Sequence, residues 1–302
     1  MKVSCLHPYV REIPSQIDPE TGLPLRQIFP CGKCPVCLSA ASKDWIFRLQ
    51  EEASHYPGQC CFLTLTYNEQ NIKKIDGVPV LSKRDTQLFL KRLRKRVKSK
   101  YPESPNLRYF IIGEYGPNTY RPHYHMLLFG LPINRSTYSL IRDSWQMGFI
   151  TMDEVTSRRI SYVASYMLNF LVQHLDETRK QFPPFRTMSR RRGIGYRYLT
   201  EDRQIYHLSN PTAPVRFRGY TYRLSRYFCD KIFSDYPEQK QIRNESLIKY
   251  RKESYKSYFA MYGEMDKTRI KTGLPTIMEE MTAKFLADYH RQFVFRKLKR
   301  RL

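Results

Sequence analysis

The sequence lacks several features that would place it in common classes of protein. It contains no run of about 18 apolar residues, so no segment is predicted to span a membrane. Its first residues lack the apolar core of a signal peptide, and seven unevenly spaced cysteines do not suit a secreted disulfide framework. We therefore expect a protein that works in a reducing cytoplasm. The G-x-x-x-x-G-K-[ST] motif is also absent, which excludes a P-loop ATPase or helicase within this chain.

Acidic residues are few beside basic ones. The 302 residues include 28 Asp and Glu against 52 Lys and Arg, a formal net charge of +24. Because a soluble domain needs a net charge of only about 2 to 8, this excess indicates a polyanionic partner, with nucleic acid as the first candidate. Aromatic residues make up 14% and interleave with basic ones, as in 196–198 and 216–220. This mixture suits single strands, whose phosphates attract cations and whose unpaired bases stack on rings.

Strands and helices are predicted to alternate along much of the chain. The hydrophobic fraction of 41% is enough for a sizeable core. Prolines at 8, 14, 19, 24 and 30 predict loops over residues 1–30. Predicted helices cover 36–54, 84–100 (capped by Ser82) and 157–174, and predicted strands cover 60–66, 107–113, 123–129 and 149–152. The 117–121 link is short enough for a hairpin, so we predict an α+β fold with a mostly antiparallel central sheet flanked by helices.

Three segments are predicted along the chain. Residues 1–57 hold a cysteine cluster and a helix, and residues 58–200 form the α+β core. Residues 201–302 are basic, rich in Tyr and largely helical, with helices expected near 237–263 and 276–300. The basic block 296–301 fits either a solvated tail or a tail that follows DNA.

Two histidines lie two residues apart within the apolar strand 123–129. Because side chains alternate along a strand, His123 and His125 point from the same face, as two ligands of a divalent metal would. If the preceding strand pairs with this one, the carboxylate of Glu114 can lie beside both imidazoles. Two imidazoles and a carboxylate suit Mg²⁺ or Mn²⁺ bridged to a phosphate. The alternatives are two hydrogen-bonded histidines in a sheet and a carboxylate paired with an arginine.

Two tyrosines four residues apart lie on the predicted helix 157–174. Tyr162 and Tyr166 therefore project from one helix face. A phenol with a pKa near about 10 is a poor nucleophile at neutral pH, but a metal that neutralises a phosphate or a nearby cation can make it competent. The alternative is a pair that serves packing.

Three cysteines have the spacing of metal ligands. Cys31, Cys34 and Cys37 form a C-x₂-C-x₂-C pattern, and either Cys5 or His7 can complete a tetrahedral structural zinc site that fixes the N-terminal loops. An iron–sulfur cluster and free buried thiols are the alternatives.

Basic residues near these motifs are candidates for DNA contacts. Several lie on the outer side of the helix 84–100, several precede the tyrosines, and others lie in the cluster 186–192. The candidates are Arg92, Lys95, Arg96, Arg121, Arg158, Arg159, Arg190, Arg191 and Arg192.

Taken together, these motifs resemble the HUH endonuclease superfamily, in the form found in replication initiators of small single-stranded DNA phages (microviruses, gokushovirus-like). Phe62–Tyr67 is similar to the family's first strand, and Arg121–His125 is similar to its His–hydrophobe–His motif. Gly113–Gly116 resembles the segment that supplies the third metal ligand, and Tyr162–Tyr166 resembles a two-tyrosine catalytic helix. The resemblance covers residues 1 to about 235, and it includes the cysteine cluster and the segments 192–196 and 224–228.

The resemblance implies a replication initiator with an HUH endonuclease-like fold. Such an enzyme nicks single-stranded origin DNA through a covalent 5′-phosphotyrosine and rejoins it during rolling-circle replication, with Mg²⁺ or Mn²⁺ at His123, His125 and Glu114. The resemblance also implies work in the cytoplasm of a bacterial host, with the host helicase and polymerase as partners. A non-catalytic single-strand-binding protein and a transposase-type HUH enzyme are the alternatives.

The chain departs from the family at one point. Family helices of this type commonly carry a lysine three residues after a tyrosine, where this chain has Ser165 and Asn169. Either Arg158 or Arg159 replaces that lysine, the metal suffices, or activity is reduced.

Overall fold

The computed structural model describes residues 5, 7–17, 22–103, 107–116, 119–169 and 175–298. Its contacts divide the chain into two compact units, one formed by Trp45–Tyr198 and the other by Met1–Asp44 with Leu199–Leu302. The division into three segments stays a prediction. Among the described helices, none combines the length and apolar character needed to cross a bilayer.

The helices and strands have the following bounds. The strands are β1 (Tyr9–Ile17), β2 (Pro24–Phe29), β3 (Cys60–Thr66), β4 (Lys74–Ile75), β5 (Val78–Pro79), β6 (Arg108–Tyr115), β7 (Pro122–Phe129), β8 (Ile150–Glu154), β9 (Phe185–Met188), β10 (Val215–Phe217) and β11 (Tyr220–Tyr222). The helices are α1 (Pro35–Ser54), α2 (Lys83–Lys100), α3 (Arg135–Trp145), α4 (Ser157–Asn169), α5 (Glu177–Gln181), α6 (Glu201–Ser209), α7 (Arg226–Ile232), α8 (Pro237–Lys271) and α9 (Ile277–Leu298). A 3₁₀ turn covers Tyr196–Tyr198.

The unit 45–198 is built on a five-stranded sheet with the order β8-β3-β7-β6-β9. All four neighbouring pairs are antiparallel. This confirms the predicted α+β fold with an antiparallel central sheet flanked by helices. The register places His125 opposite Thr64 of β3, and His123 opposite Glu114 of β6.

The two faces of this sheet differ because side chains alternate along each strand. One face forms the main core, in which Tyr124 and Met126 of β7 join Phe89 and Leu93 of α2 and Trp145 of α3. The opposite face carries the two histidines, and α4 packs there against β6 and β7. The polar candidates therefore share one face and the large apolar core lies behind them.

Capping side chains fix where the flanking helices begin. Ser82 Oγ accepts a hydrogen bond from the Asp85 amide at 3.2 Å, which confirms the predicted cap of α2. In the same way, Thr156 Oγ1 accepts from the Arg159 amide at 3.2 Å, immediately before α4. The predicted end of α4 at residue 174 lies outside the described residues.

In the other unit, residues 9–29 form an antiparallel pair, β1 with β2, so the prediction of loops over residues 1–30 was wrong there. A two-stranded sheet consists of edge strands, where proline is tolerated because its missing donor can face away from the partner. Pro14 is exposed near a register shift between Ile13 and Ile17, and Pro24 starts its strand. Prolines therefore mark the edges of this sheet rather than an irregular loop.

The C-terminal region is helical, as predicted. The helices α8 and α9 cover most of residues 237–298, and α8 contributes the buried Tyr255 and Tyr258 to a small core with Cys5 and Cys34. Residues 299–302 of the basic block lie outside the described residues.

Candidate active site

His125, Glu114 and Tyr166 meet on the sheet face that α4 covers. His125 Nε2 lies 3.1 Å from Glu114 Oε1 and 3.1 Å from Tyr166 Oη. Glu114, His125 and Tyr166 are buried, with relative exposures of 2%, 7% and 0%. A carboxylate, an imidazole and a phenol thus converge where little water enters, and electrostatic interactions there are stronger than at the surface.

The outer ring nitrogens of both histidines have hydrogen-bond partners. His123 Nδ1 donates to the Arg121 carbonyl at 2.6 Å, so Nε2 is the nitrogen that carries the lone pair. His125 Nδ1 lies 3.1 Å from Thr64 Oγ1. Histidines that ligate metals are commonly held in this way, with one nitrogen bonded to a carbonyl or hydroxyl and the other directed to the metal.

His125 and Glu114 are in direct contact, whereas His123 is placed by register opposite Glu114. Within the described parts of the chain, the three side chains do not form a tight group of ligand atoms like that of the cysteines below. Their donor set of two imidazoles and a carboxylate nevertheless fits Mg²⁺ or Mn²⁺, because these ions take oxygen and imidazole ligands and leave positions open.

Tyr162 and Tyr166 both face this cluster. Their hydroxyl oxygens are in hydrogen-bond contact, and their ring centroids are 4.9 Å apart. The rings of Tyr166 and Tyr162 lie 5.1 Å and 5.4 Å from the His125 ring. Neither phenol points away from the two candidate ligands. The pair therefore belongs to the same site as His125.

The two phenols differ in their surroundings. Burial, followed by the negative charge of Glu114 and the neighbouring Tyr162, holds the pKa of Tyr166 well above its usual value. Tyr162 is half-buried, one helical turn earlier. Tyr166 therefore keeps its proton at neutral pH, whereas Tyr162 is more accessible to a substrate.

Sequence reasoning missed Phe62 and Thr64 as members of this site. The Phe62 ring stacks on His125 with centroids 5.9 Å apart, and it meets the edge of Tyr162 at 6.4 Å. The Arg159 guanidinium lies 5.8 Å from the Phe62 ring and pairs with Asp153 at 3.1 Å. The alternation in 62–66 gives Phe62 and Thr64 one face, but placing them beside His125 requires the register between strands.

The predicted DNA-contacting residues fall into two groups. Arg92 donates to the carbonyls of Ser144 and Trp145 at 2.7 and 3.2 Å, where it satisfies the end of α3. Arg121 donates to the Tyr67 carbonyl at 2.8 Å and pairs with Glu69. These two side chains therefore hold the fold together. The exposed members are Lys95, Arg96, Arg158, Arg190, Arg191 and Arg192.

The position three residues after Tyr162 is used locally. Ser165 Oγ donates to the Tyr162 carbonyl at 2.7 Å, within its own helix. Asn169 ends α4, and its side chain lies outside the described residues. Arg159 contacts Phe62, which stacks on His125, and so lies closer to the phenols through these rings than a solvated cation would.

Four cysteines form a second cluster, in the other unit. The sulfurs of Cys5, Cys31, Cys34 and Cys37 all lie within 4.8 Å of one another, and those of Cys5 and Cys34 are 3.8 Å apart. The separation suits four thiolates on one tetrahedral ion. The structure thus places Cys5, rather than His7, with the three cysteines of the motif.

Backbone amides point at these sulfurs. Burial alone would raise the pKa of the Cys31 thiol, but hydrogen bonds from the Lys33 and Cys34 amides outweigh it and lower the pKa to about 7. Burial raises the pKa of Cys5 and Cys37. A bound cation reverses that effect, because a coordinated thiol is deprotonated outright. The donors present therefore fit a zinc ion.

Comparison with known proteins identifies related sequences. Residues 60–170 match the family model of the phage replication-associated protein ORF2. The replication-associated protein VP4 of Bdellovibrio phage phiMH2K is 29% identical over 228 residues, which cover 70% of this chain and 69% of that protein. The replication-associated protein ORF2 of Spiroplasma virus 4 is 27% identical over 263 residues, which cover 79% and 81%.

One solved structure also aligns with the chain. It is the N-terminal nuclease domain of the non-structural protein 1 of minute virus of mice, with a TM-score of 0.21 and 11% identity over 56% of this chain and 81% of that chain. So low a TM-score carries no argument about this chain.

The matched segment contains β3, β6, β7 and α4, which supply every residue of the cluster around His125. The resemblance predicted from the motifs is therefore confirmed, and the chain is a relative of the phage replication-associated proteins, with the region that matches their family model at residues 60–170.

Proposed function

We propose that the chain is an endonuclease that nicks single-stranded DNA at a replication origin and later rejoins it, with Tyr162 and Tyr166 as nucleophiles. The observation that carries this proposal is the meeting of both phenol oxygens with His125 and Glu114 on one buried face of the sheet. The relatives support it, because they are replication-associated proteins of small phages.

His125, Glu114 and His123 would hold Mg²⁺ or Mn²⁺. When bound, the ion would neutralise charge on the scissile phosphate and polarise it toward attack. Thr64 and the Arg121 carbonyl fix the two imidazole rings for this role.

The phenol oxygen forms a bond to phosphorus as the bond from phosphorus to the 3′-oxygen breaks. The phenol loses its proton and the departing 3′-oxygen gains one, so the products are a 5′-phosphotyrosine and a free 3′-hydroxyl. Because the new ester keeps the energy of the broken phosphodiester, the 3′-hydroxyl of a strand can reverse the step without ATP. In-line geometry and charge neutralisation are the main requirements of such a transfer.

Tyr162 cuts first in this proposal. Its half-buried position admits a DNA strand, whereas Tyr166 is enclosed and keeps its proton. Tyr166 donates a hydrogen bond to Tyr162 Oη and so stabilises negative charge on that oxygen. After one round of synthesis Tyr166 would take its turn on the regenerated origin.

Rolling-circle replication supplies the wider setting. The free 3′-hydroxyl would prime a host polymerase while a host helicase opens the duplex, in the cytoplasm of the bacterial host. In the same proposal, Cys5, Cys31, Cys34 and Cys37 hold a structural zinc ion that is separate from the cleavage chemistry.

The test is formation of a covalent adduct with single-stranded oligonucleotides tiled across the cognate origin, in Mg²⁺ or Mn²⁺. We expect Tyr162→Phe to abolish the first adduct, Tyr166→Phe to slow it, and the double variant to give none. Tyr138→Phe, on the exposed side of α3, is the matched control and should react normally.

An adduct in the double variant would refute the assigned nucleophiles. Binding of the oligonucleotides by the unaltered chain, without cleavage under any tested condition, would favour a non-catalytic single-strand-binding protein instead.

A further inference from the structure

A groove of about 700 Å³ lies at the edge of the five-stranded sheet, between α2, the start of β6 and the end of β9. Its basic lining residues are Lys83, Arg94, Arg108, Arg190 and Arg191. None of the described residues that line it is acidic. An unbroken positive lining of this kind favours an anionic ligand.

The loop that carries the arginines is held at its backbone by a buried ion pair. Arg108 pairs with Glu52, whose side chain is 1% exposed. The same guanidinium donates to the three successive carbonyls of residues 191–193, at 3.3, 2.8 and 3.1 Å. Glu52 in turn accepts from the Gly195 amide at 2.6 Å. The position of this loop is therefore set by the fold and does not depend on a ligand.

The fixed loop presents adjacent exposed cations to the groove. Within the described structure, Arg190 and Arg191 make no ion pair with an acidic side chain. Like charges held close together repel one another, so a bound anion stabilises this arrangement. The opposite wall carries Lys83 and Arg94, eleven residues or about 16 Å apart along α2. Charges spread over that length suit a row of phosphates better than one small anion.

The groove also offers an aromatic surface. The Tyr109 ring is half-buried, and the Arg94 guanidinium lies 5.4 Å from its centroid. Tyr109 is fixed by two hydrogen bonds with Ser189, of 3.1 and 3.0 Å. An arginine over an aromatic ring, beside further cations, suits the unpaired bases and phosphates of a single strand.

We propose that this groove, formed by Lys83, Arg94, Tyr109, Arg190 and Arg191, binds the single-stranded DNA that flanks the cleaved bond. The inference rests on the proposed function and adds a second contact region to it. Tyr109 precedes Glu114 by five residues of β6, about 17 Å along the strand. A strand that reached both places would be gripped away from the reacting phosphate, and its position at the phenols would be fixed by contacts outside the site.

The test compares binding of two oligonucleotides to the full chain, across a range of salt concentrations. The short one contains the nick site and its immediate neighbours, and the long one extends further on both sides. The variants are Arg190→Ala/Arg191→Ala, the charge-conserving Arg190→Lys/Arg191→Lys, and the control Lys256→Ala/Lys271→Ala, which removes two exposed charges from α8.

We expect the alanine pair to weaken binding of the long oligonucleotide roughly tenfold and to reduce its salt slope by about 1.4, or about 0.7 for each lost phosphate contact. Binding of the short oligonucleotide should fall much less. The lysine pair should restore most of the affinity, and the control should change it by less than about twofold.

Unchanged binding of the long oligonucleotide, or an equal loss for both lengths, would overturn the groove assignment. An equal loss for a duplex of the same length would overturn the choice of single strands. Because binding is measured without cleavage, a chain that binds as expected but never nicks would contradict the proposed function and leave the groove standing.

Discussion

The hydroxyl of Tyr166 is enclosed by His125, Glu114 and Tyr162 rather than by water. Phenolate formation there would place a second negative charge beside a buried carboxylate, which is costly where charges are poorly solvated. The neutral phenol can donate a hydrogen bond instead. At this scale the pair is asymmetric, with one tyrosine as a donor and the other as the more accessible oxygen.

The alkaline stability of the protein should show this asymmetry. The unfolded chain ionises tyrosine near pH 10, whereas folded Tyr166 stays neutral, so its contribution to the free energy of unfolding is complete below about pH 10 and is lost as pH rises above it. Tyr166→Phe should therefore make the fall in stability above about pH 10 shallower by about 1.4 kcal/mol per pH unit. Urea unfolding measured across that range checks this, and a slope equal to that of Tyr138→Phe and the unaltered chain would contradict it.

A buried polar network joins β7 to the first turn of α2. Tyr124, which lies between the two histidines, accepts a hydrogen bond from the Ser82 amide at 2.8 Å and contacts Tyr67 Oη at 2.9 Å. Tyr67 donates to Asp85 at 2.7 Å, and Asp85 pairs with Lys73 at 3.1 Å. The strand that carries the histidines is thus anchored from the opposite face of the sheet.

Removing one hydroxyl from this network should destabilise the fold. Tyr124→Phe leaves the buried Ser82 amide without this acceptor, and we expect a loss of about 1–3 kcal/mol in the free energy of unfolding. Tyr138→Phe, on the surface of α3, should stay within about 0.5 kcal/mol of the unaltered chain. Urea midpoints at constant m-value measure both changes, and equal midpoints would show that the network contributes nothing to stability.

Elements with a strong local pattern could be read from the sequence. The strand 60–66 and the helix beginning after Ser82 were placed almost to the residue, because a buried β-rich run and a cap with an amphipathic stripe are local signals. The helix α3 and the strand β9 escaped prediction. Ile141 and Trp145 are the fully buried apolar residues of α3, and the four residues of β9 are too few to show an alternation.

The candidate site was predictable only as far as its residues share one element. A period of two gave His123 and His125 one face, and a spacing of four did the same for Tyr162 and Tyr166. The contacts of Thr64 and Phe62 with His125 depend on pairing between distant strands, which no local pattern encodes. The same holds for Cys5, whose place beside Cys34 depends on the chain between them.

The cysteine cluster links a loop, a helix start and a distant helix. Gly32 has a φ of +73° between the first two cysteines of the motif, Cys37 lies in the first turn of α1, and Tyr255 of α8 donates to the Cys5 carbonyl at 2.5 Å. We expect one zinc ion per chain, and loss of that ion on Cys34→Ser. Metal content and the thiolate absorption of a Co²⁺-substituted sample measure this. Cys229→Ser is the matched control, since Cys229 donates to the Leu224 carbonyl outside the cluster.

Removal of that ion should also lower thermal stability, because metal binding to a preformed site contributes to the free energy of folding. A chelator that leaves both the metal content and the unfolding midpoint unchanged would contradict the zinc assignment. Equal metal content in Cys34→Ser and the unaltered chain would do so as well.

For the whole molecule, the excess of 24 positive charges determines how it meets DNA. Such a field draws polyanions in from a distance and is screened by salt. The buried cluster at His125 and Tyr166 adds little to that attraction, since its groups are few and largely satisfied within the fold. Recognition of an origin must therefore be separated experimentally from general attraction to phosphates.

The salt dependence of binding makes that separation. Each phosphate contact with a single strand contributes about −0.7 to the slope of log K against log salt concentration, so several contacts should give a steep slope. We expect origin and scrambled oligonucleotides of equal length to share that slope, because both offer the same phosphates, while their affinities differ by a ratio that salt leaves nearly constant. Fluorescence anisotropy at several salt concentrations measures both quantities. A shallow slope would instead mean that base stacking on the many tyrosines, rather than charge, dominates the affinity of this chain for single strands.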